Sequence, residues 1–292
     1  MPSGVTWRIL ALVSVATGWC IAAGCSSFAG DSAPNPSEEA GTDAPAAVEA
    51  AVDAGDGGAR FCKTGAAATA TFCADFDDGP LDAGWQLPPY ERGGTLATTP
   101  SDRSPPNAML ATVDTFPPLS AADAGDAGDA GSDPSDLFAL AVLSTTLGRG
   151  VAQGARLEFD IRIDELPTTE DGGVSGGQLA SLGFDPKNRQ AVAFGFYTGS
   201  LSLTVSDPSL AGGSTSFPVA LPSTSSWFHV KISCAFNGGS AALSFDGIQV
   251  ASTPQGINTD KVGIFLDIGA VAAATTGKAR VAYDNVVLTL LP

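Results

Sequence analysis

The amino-acid sequence predicts an all-β fold in which two antiparallel sheets pack face to face. The main evidence is residues 227–252, where apolar and polar residues alternate with the period of two that is typical of half-buried strands. Asn237-Gly238-Gly239 and Asp246-Gly247 interrupt this alternation with residues that favour tight turns. Three consecutive antiparallel strands with one apolar face need a second layer to bury that face, so the sequence indicates a sandwich.

Residues 156–164 form the second clear strand, because Leu157, Phe159, Ile161 and Ile163 alternate with charged residues. In the meander, Ile248 and Val250 are expected to continue the apolar row of the third strand. The final strand is apolar, and we expect both of its edges to be paired inside a sheet. Further strands are predicted at residues 108–116, 137–147, 177–184, 190–198, 200–207, 216–221, 261–269 and 280–291.

The chain has 292 residues and a formal net charge of −17. Phosphate contacts need clustered Lys and Arg, and the sequence has no such cluster, so nucleic-acid binding is not expected. Residues 61–292 are predicted to form a single β-sandwich domain, a common size for this fold class. Residues 121–136 repeat Asp-Ala-Gly and contain no large apolar residue, which indicates a low-complexity insertion at a loop.

Residues 1–24 are predicted to be an export signal, with Arg8 before a short apolar stretch. The stretch ends in Ala22-Ala23-Gly24-Cys25, which resembles the lipobox of bacterial lipoproteins although Ala22 replaces the usual leucine. This resemblance implies an acylated Cys25 that anchors the protein to a membrane. Ser26 next to it implies the outer membrane of a Gram-negative bacterium. A plain secretory signal is the alternative.

Residues 25–60 are rich in Ala, Gly, Pro and acidic residues, so we expect a disordered acidic tether. After it, Cys62 and Cys73 are close in sequence, and in an oxidising compartment they are expected to form a disulfide. A metal site is the weaker alternative, because neither cysteine has a CxxC partner and the single His is distant. Cys234 lies in an apolar row and is expected to be a buried, inert thiol.

Two groups of carboxylates are candidates for chemistry. Asp75, Asp77 and Asp78 either ligate calcium or form a polar turn, and the turn is the simpler interpretation. Glu158 and Asp160 have a spacing on one strand that suits a glycosidase pair. Arg162 on the same face favours their ionised forms, however, which opposes the role of general acid. A solvated, salt-bridged strand face is therefore the preferred interpretation.

A row of hydroxyl groups alternates with apolar residues along another strand, close to Phe196 and Tyr197. Such a row either lines a sugar-binding groove or forms an ordinary outer sheet face, and the second interpretation is favoured. The row consists of Ser200, Ser202, Thr204 and Ser206.

The order of several motifs resembles the concanavalin A-like lectin/glucanase domains of bacterial lipoproteins, which include laminin-G-like modules. The motifs are FCADFDDG at residues 72–79, LEFDIRID at 157–164, Trp227-x-x-Val230 with Asp246-Gly247, and the Asp-Asn-Val that begins at Asp284. The resemblance implies a jelly-roll β-sandwich of two antiparallel sheets. It also implies a structural calcium ion, with Asp77 and Asp284 as ligands and Asp75 as a helper. The family contains both lectins and enzymes, so fold alone does not give the function.

The enzymatic motifs of this family are incomplete here. Glucanases carry E-x-D-x-x-E, but Ile163 stands where the second Glu would be. Lyases of this fold use a His and a Tyr near a basic groove, and His229 beside Lys231 has no evident Tyr partner. We therefore name no catalytic residue and expect a lipid-anchored, non-catalytic glycan-binding or surface-interaction module. The alternatives are a hydrolase or lyase using Glu158 and Asp160, and a purely structural envelope protein.

Overall fold

The computed structural model describes residues 61–77, 79–114, 138–148, 150, 152–167, 176–185, 190–197, 200–207, 213–237, 239–254, 257, 263–273 and 278–292. The predicted signal peptide, acylated Cys25, tether and loop insertion lie outside these residues. None of the helices in the described ranges has the length and apolar character needed to cross a bilayer.

The described chain begins with two short 3-10 helices, Phe61–Lys63 and Gly65–Thr69, and continues almost entirely as strands. The strands are β1 Phe72–Ala74, β2 Tyr90–Arg92, β3 Gly94–Pro100, β4 Asn107–Val113, β5 Phe138–Gly148, β6 Gly154–Glu165, β7 Gly176–Asp185, β8 Gln190–Tyr197, β9 Ser200–Ser206, β10 Ser214–Val219, β11 Trp227–Ala235, β12 Ala241–Phe245, β13 Ile248–Thr253, β14 Gly263–Ala273 and β15 Ala279–Leu291.

These strands form two antiparallel sheets, which confirms the predicted all-β jelly-roll sandwich. Sheet A has the order β13-β12-β11-β6-β15-β4-β3, and β1 also pairs with β15. Sheet B has the order β10-β9-β8-β7-β14-β5-β2. The predicted meander is β11-β12-β13, and the predicted central position of the last strand is that of β15, which lies between β6 and β4.

The core lies between the two sheets and is filled by the alternate residues that the sequence pattern indicates. Phe159 of β6 contacts Phe194 of β8 across the sandwich, with ring centroids 6.2 Å apart. Tyr283 of β15 is fully buried, and its hydroxyl donates to the carbonyl oxygens of Leu179 and Gly269, each at 3.0 Å. These contacts tie sheet A to sheet B and leave the alternate, outward-facing residues of each strand for the surface.

Two features of the strands differ from the sequence expectation. The segment that contains β2 and β3 lacks a clear alternation and β1 has only three residues, so the sequence predicts none of these three strands. The other difference concerns Ile248 and Val250, which are exposed and do not face the core. Ile248 pairs with Phe245 beside the turn, and a register shift between Leu243 and Ser244 reverses the phase of the rest of β13, so that Ala251 and not Val250 packs on the core.

The cysteines in the described residues are arranged as predicted. Cys62 and Cys73 form a disulfide that ties the first 3-10 helix to β1. Cys234 is a free, buried thiol, and burial raises its pKa to about 12. Trp85 is also buried in the core, against Phe72.

Candidate functional site

The outer face of sheet A gathers charged side chains in rows that run across β11, β6 and β15. Because the strands are paired in register, His229 lies opposite Asp160, and Asp160 lies opposite Asp284 on its other side. In the next row, Lys231 lies opposite Glu158. Their neighbours in sequence point into the core, so these side chains point away from it. We call the surface formed by Arg103, Glu158, Asp160, His229 and Lys231 the charged face.

Asp160 is the centre of the charged face and is almost fully buried. Its Oδ1 atom accepts hydrogen bonds from Nδ1 of His229 at 3.1 Å and from Nη2 of Arg103 at 3.3 Å. Its Oδ2 atom accepts a third from Nδ2 of Asn285 at 2.8 Å. Burial acts to raise the pKa of Asp160, but the three donors outweigh it and the net pKa is lowered. Asp160 is therefore an ionised anchor for the side chains around it.

His229 carries a positive charge at neutral pH. The hydrogen bond to Asp160 and then the interaction with Glu158 raise the pKa of His229 to about 9, against the opposing effect of burial. Its Nε2 atom lies 3.9 Å from Oε1 of Glu158. The contact with His229 is also the main cause that lowers the pKa of Glu158. Both carboxylates are therefore ionised, and neither holds the proton that a general acid must donate.

The sequence predicts Arg162 as the cation beside these carboxylates, but in the structure Arg162 has other partners. Nε of Arg162 pairs with Asp164 at 2.8 Å, and its guanidinium lies over Trp227, 5.1 Å from the ring centroid. The expected ionised state of Glu158 and Asp160 agrees with the structure, but other cations cause it. The cations that contact the two carboxylates are Arg103, Arg156 and His229.

The loop between β3 and β4, residues 101–106, positions two groups of this face. Arg103 extends from the loop to Asp160, as described above. Asp102 accepts the indole N–H of Trp227 at 2.6 Å, which fixes the orientation of that half-buried ring. The sequence analysis missed Arg103, because nothing in the local pattern indicates which strand a loop residue will contact.

Asn285 joins the charged face through a β-bulge in β15. The register of β15 against β6 shifts between Asp284 and Val287, so two residues of β15 lie opposite one of β6. Asn285 has a φ of 52°, a left-handed conformation that Asn tolerates better than most residues. The available signal is the pair Asp284-Asn285, two adjacent polar residues in an apolar strand, which the sequence analysis did not interpret as a bulge.

Asp284 is fully buried below the loop between β3 and β4. Its Oδ2 accepts a hydrogen bond from the hydroxyl of Ser101 at 2.8 Å, and its Oδ1 accepts the backbone N–H of Asn285 at 2.9 Å. Burial raises the pKa of Asp284 to about 7, and the charges of Asp77 and Asp160 act in the same direction. Oδ1 of Asn285 is buried and has no hydrogen-bond partner in the described part of the chain. Oδ1 of Asn285 is therefore a buried acceptor that a cation would satisfy.

The three predicted calcium ligands have separate surroundings. Asp75 accepts the backbone N–H of Cys62 at 3.5 Å, and Asp77 accepts the first backbone N–H of β4 at 3.0 Å. Across the described ranges, no three His, Cys, Asp or Glu side chains are grouped to hold a metal ion. Asp77, Asp284 and the side-chain oxygen of Asn285 fit calcium in part, since calcium binds carboxylate and amide oxygens alike. The calcium site stays a prediction, with Asn285 as an added candidate.

The hydroxyl row of β9 is largely closed to ligands. Ser202, Thr204 and Ser206 are buried, and Thr204 hydrogen-bonds Ser216 of β10 at 2.8 Å. Phe196 lies in the core. This row therefore forms part of the structure of sheet B, as the favoured interpretation expects.

The two enzymatic patterns raised by the sequence lack essential groups on this face. Ile163, at the position of the second Glu in E-x-D-x-x-E, is a buried core residue. A His–Tyr pair would need a tyrosine near His229. The chain has three tyrosines. Tyr283 is in the core, and burial raises its pKa well above the usual range. Tyr90 and Tyr197 belong to sheet B.

No protein-family model matches the chain. No curated protein matches it either. Among solved structures, the PL7 alginate lyase AlyA1 from Zobellia galactanivorans is 15% identical, with a TM-score of 0.42 over 63% of this chain and 77% of that one. The cellulose induced protein Cip1 is 13% identical, with a TM-score of 0.49 over 75% and 96%. A carbohydrate esterase from Shiga toxin-encoding bacteriophage phi24B is 10% identical, with a TM-score of 0.47 over 76% and 99%.

Proposed function

We propose that this chain is a non-catalytic glycan-binding protein and that its ligand lies on the charged face. The observation that carries the proposal is a set of half-exposed hydrogen-bonding side chains held in place by a buried carboxylate. Arg103 and His229 are both fixed on Asp160, and the orientation of Trp227 is fixed by Asp102. The resemblance of the sequence motifs to lectin-containing domains agrees with this proposal.

The chemistry of the charged face suits a sugar. Sugar hydroxyls need donors and acceptors at fixed positions, and here Arg103, His229 and Lys231 stand beside the carboxylate of Glu158. The half-buried indole of Trp227 adds an apolar surface with a polar edge, a combination that is common at binding surfaces. Because ion pairs already hold several of these groups, binding would cost little side-chain entropy.

Several properties of the face favour binding over turnover. The lowered pKa values of Glu158 and Asp160 keep both carboxylates ionised, so the pair lacks a general acid. The raised pKa of His229 keeps its imidazole protonated, so it lacks the free nitrogen of a general base. These protonation states support a binding role for Glu158 and Asp160, although their spacing suits a glycosidase pair.

We further propose that Cys25 is acylated and that the protein is exported to the outer membrane, where the acidic residues 25–60 hold the domain away from the bilayer. Labelling cells with a fatty-acid analogue should mark the wild-type protein. The labelled protein should fractionate with the outer membranes. The Cys25→Ser variant should carry no label. Equal labelling of both proteins would contradict the assignment.

A glycan array tests the proposed function. The wild-type chain should bind at least one glycan, and the double variant His229→Gln/Lys231→Gln should lose about tenfold or more in affinity, because two hydrogen-bonding groups are removed. Lys63→Gln is the matched control, since Lys63 is exposed on the first 3-10 helix, which is not part of the charged face. Thermal unfolding of each variant confirms that the fold is kept.

Absence of binding to any glycan would contradict the proposal and favour a structural envelope protein. If the double variant and Lys63→Gln weaken binding equally, the ligand lies away from the charged face. If a bound polymer were degraded by the wild-type chain, the non-catalytic part of the proposal would be wrong.

A further inference from the structure

The cations of the charged face are more exposed than the carboxylates that they contact. The side chain of Arg103 is 45% exposed and that of its partner Asp160 is 6% exposed. His229 is 35% exposed, and Glu158, between His229 and Arg156, is 24% exposed. A ligand that approaches Glu158 and Asp160 therefore meets the N–H donors of these cations first, while the exposed carboxylates of Asp102 and Asp246 lie at the border of the face.

The basic side chains of this region are equal in number to the carboxylates with which they interact. The fully buried Asp284 lies beneath the loop and is closed to a ligand. This local balance differs from the chain as a whole, which has a net charge of −17. The four cations are Arg103, Arg156, His229 and Lys231, and the four carboxylates are Glu158, Asp160, Asp246 and Asp284.

Two of these cations keep unused donors. A guanidinium has five N–H groups, and within the described residues Arg103 uses one nitrogen, Nη2, on Asp160. Lys231 has three N–H donors and no ion-pair partner within 4 Å in the described part of the chain; it acts on Glu158 only through its charge. Arg103 and Lys231 are linked through His229, since both His229 and Arg103 contact Asp160 and Lys231 is two residues from His229 on β11.

We infer that the charged face selects acidic glycans, in which a carboxylate or sulfate group of the sugar is bound by Arg103 and Lys231. Charge-assisted hydrogen bonds to such a group are stronger than those to neutral hydroxyls, which gives the preference over neutral glycans. The inference rests on the proposed glycan-binding function and specifies the class of ligand. Because the rest of the chain is acidic, the attraction must be local, and added salt should weaken it.

The test compares binding of the full chain to polygalacturonate, dextran sulfate and neutral dextran at about 50 and about 500 mM NaCl. We expect binding to at least one acidic polymer, with Kd rising by about tenfold or more at high salt, and much weaker binding to dextran. Preference for polygalacturonate identifies a carboxylate ligand, and preference for dextran sulfate identifies a sulfate ligand. Arg103→Gln and Lys231→Gln should each weaken acidic-polymer binding by about tenfold, and Lys63→Gln should leave it unchanged.

The outcomes separate this inference from the proposed function. If neutral glycans on the array bind regardless of salt, and Lys231→Gln weakens that binding, the acidic preference is overturned and the proposed glycan binding stands. Equal weakening of acidic-polymer binding by Lys63→Gln would show non-specific attraction and overturn the inference. If neither the polymers nor the array glycans bind, the proposed function itself is wrong. Lys231→Gln decides the matter even if Arg103→Gln disturbs the fold, because Lys231 does not hold a buried partner.

Discussion

Asp160 explains why the charged face has one fixed arrangement. This nearly buried carboxylate receives donors from three separate elements: His229 on β11, Asn285 on β15 and Arg103 in the β3–β4 loop. A buried charge with several partners is costly to disturb, because its loss leaves the partners unpaired. The exposed cations of the charged face do not join several elements in this way.

Asp160→Ala should therefore lower the free energy of unfolding by about 1–3 kcal/mol, because the buried amide of Asn285 loses its acceptor while Arg103 and His229 stay partly exposed to water. Lys231→Gln should change it by less than about 0.5 kcal/mol, as is usual for a surface substitution. Urea unfolding monitored by circular dichroism measures both values. Similar small effects for the two variants would show that Asp160 does not organise the face.

His229 gives the protein a defined pH dependence. Its pKa is about 9 in the folded chain against an ordinary value of 6.5, so the folded state holds this proton more tightly. The resulting stability is complete below pH 6.5 and is lost as the pH rises towards 9. Because the side chain is partly exposed, solvent screening limits the loss to roughly 1 kcal/mol. His229→Gln should remove this decline, and NMR titration of the imidazole should give the raised pKa. An imidazole pKa near 6.5 would contradict the ion-paired arrangement.

The buried carboxyl group of Asp284 predicts an effect of calcium on stability. With a pKa of about 7, above its ordinary 3.8, Asp284 makes the folded chain less stable as the pH rises from about 4 to 7. At pH 8 a bound calcium ion should offset this loss of stability. Free calcium at a hundred times its Kd should raise the free energy of unfolding by about 2.7 kcal/mol. Differential scanning calorimetry with calcium and with a chelator measures the change. Asp284→Asn should abolish the response, and a wild-type protein that is indifferent to calcium would exclude the site.

Single residues also show where sequence reasoning stops. The ionised state of Glu158 and Asp160 could be predicted, because charges that alternate along one strand share a face. Arg103 and Asn285 could not be assigned to Asp160, since they lie 57 and 125 residues from it in sequence. Contacts of that kind depend on strand order and on a bulge, and neither has a local pattern that specifies the partner.

Among the elements, β13 shows how one irregularity reverses a face. The alternation in the sequence places Ile248 and Val250 inside, but Ile248 is 72% exposed next to the turn, and the register shift beyond Gln249 brings Ala251 to the core in place of Val250. A bulge moves every later side chain of a strand to the opposite face. Periodicity alone therefore predicts the strand correctly and its orientation wrongly.

This orientation can be tested with two lysine substitutions in β13. Val250→Lys should change the free energy of unfolding by less than about 0.5 kcal/mol, since Val250 points towards solvent. Ala251→Lys should cost at least about 1 kcal/mol, because it brings a charge against the core. Chemical denaturation of both variants measures the difference, and the opposite order would mean that the strand follows the regular register.

In the whole molecule, the two outer faces of the sandwich have different character. Sheet A presents the charged face, whereas β9 and β10 of sheet B carry small hydroxyl residues, buried on β9 and partly exposed on β10. The all-β class, the meander and the paired C-terminal strand follow from local alternation and could be predicted. The adjacency of β6 to β11 and β15, which creates the charged face, follows from long-range strand order and could not.

The location of the glycan can be read from the tryptophan indole signals of the full chain during titration with a glycan that binds on the array. The account predicts that the Nε1–H resonance of Trp227 shifts, because Trp227 borders the charged face, while that of the core residue Trp85 stays in place. Backbone signals of His229 and Lys231 should shift with it. An unchanged Trp227 signal, with shifts confined to residues of sheet B, would contradict the account and place the ligand on the other side of the sandwich.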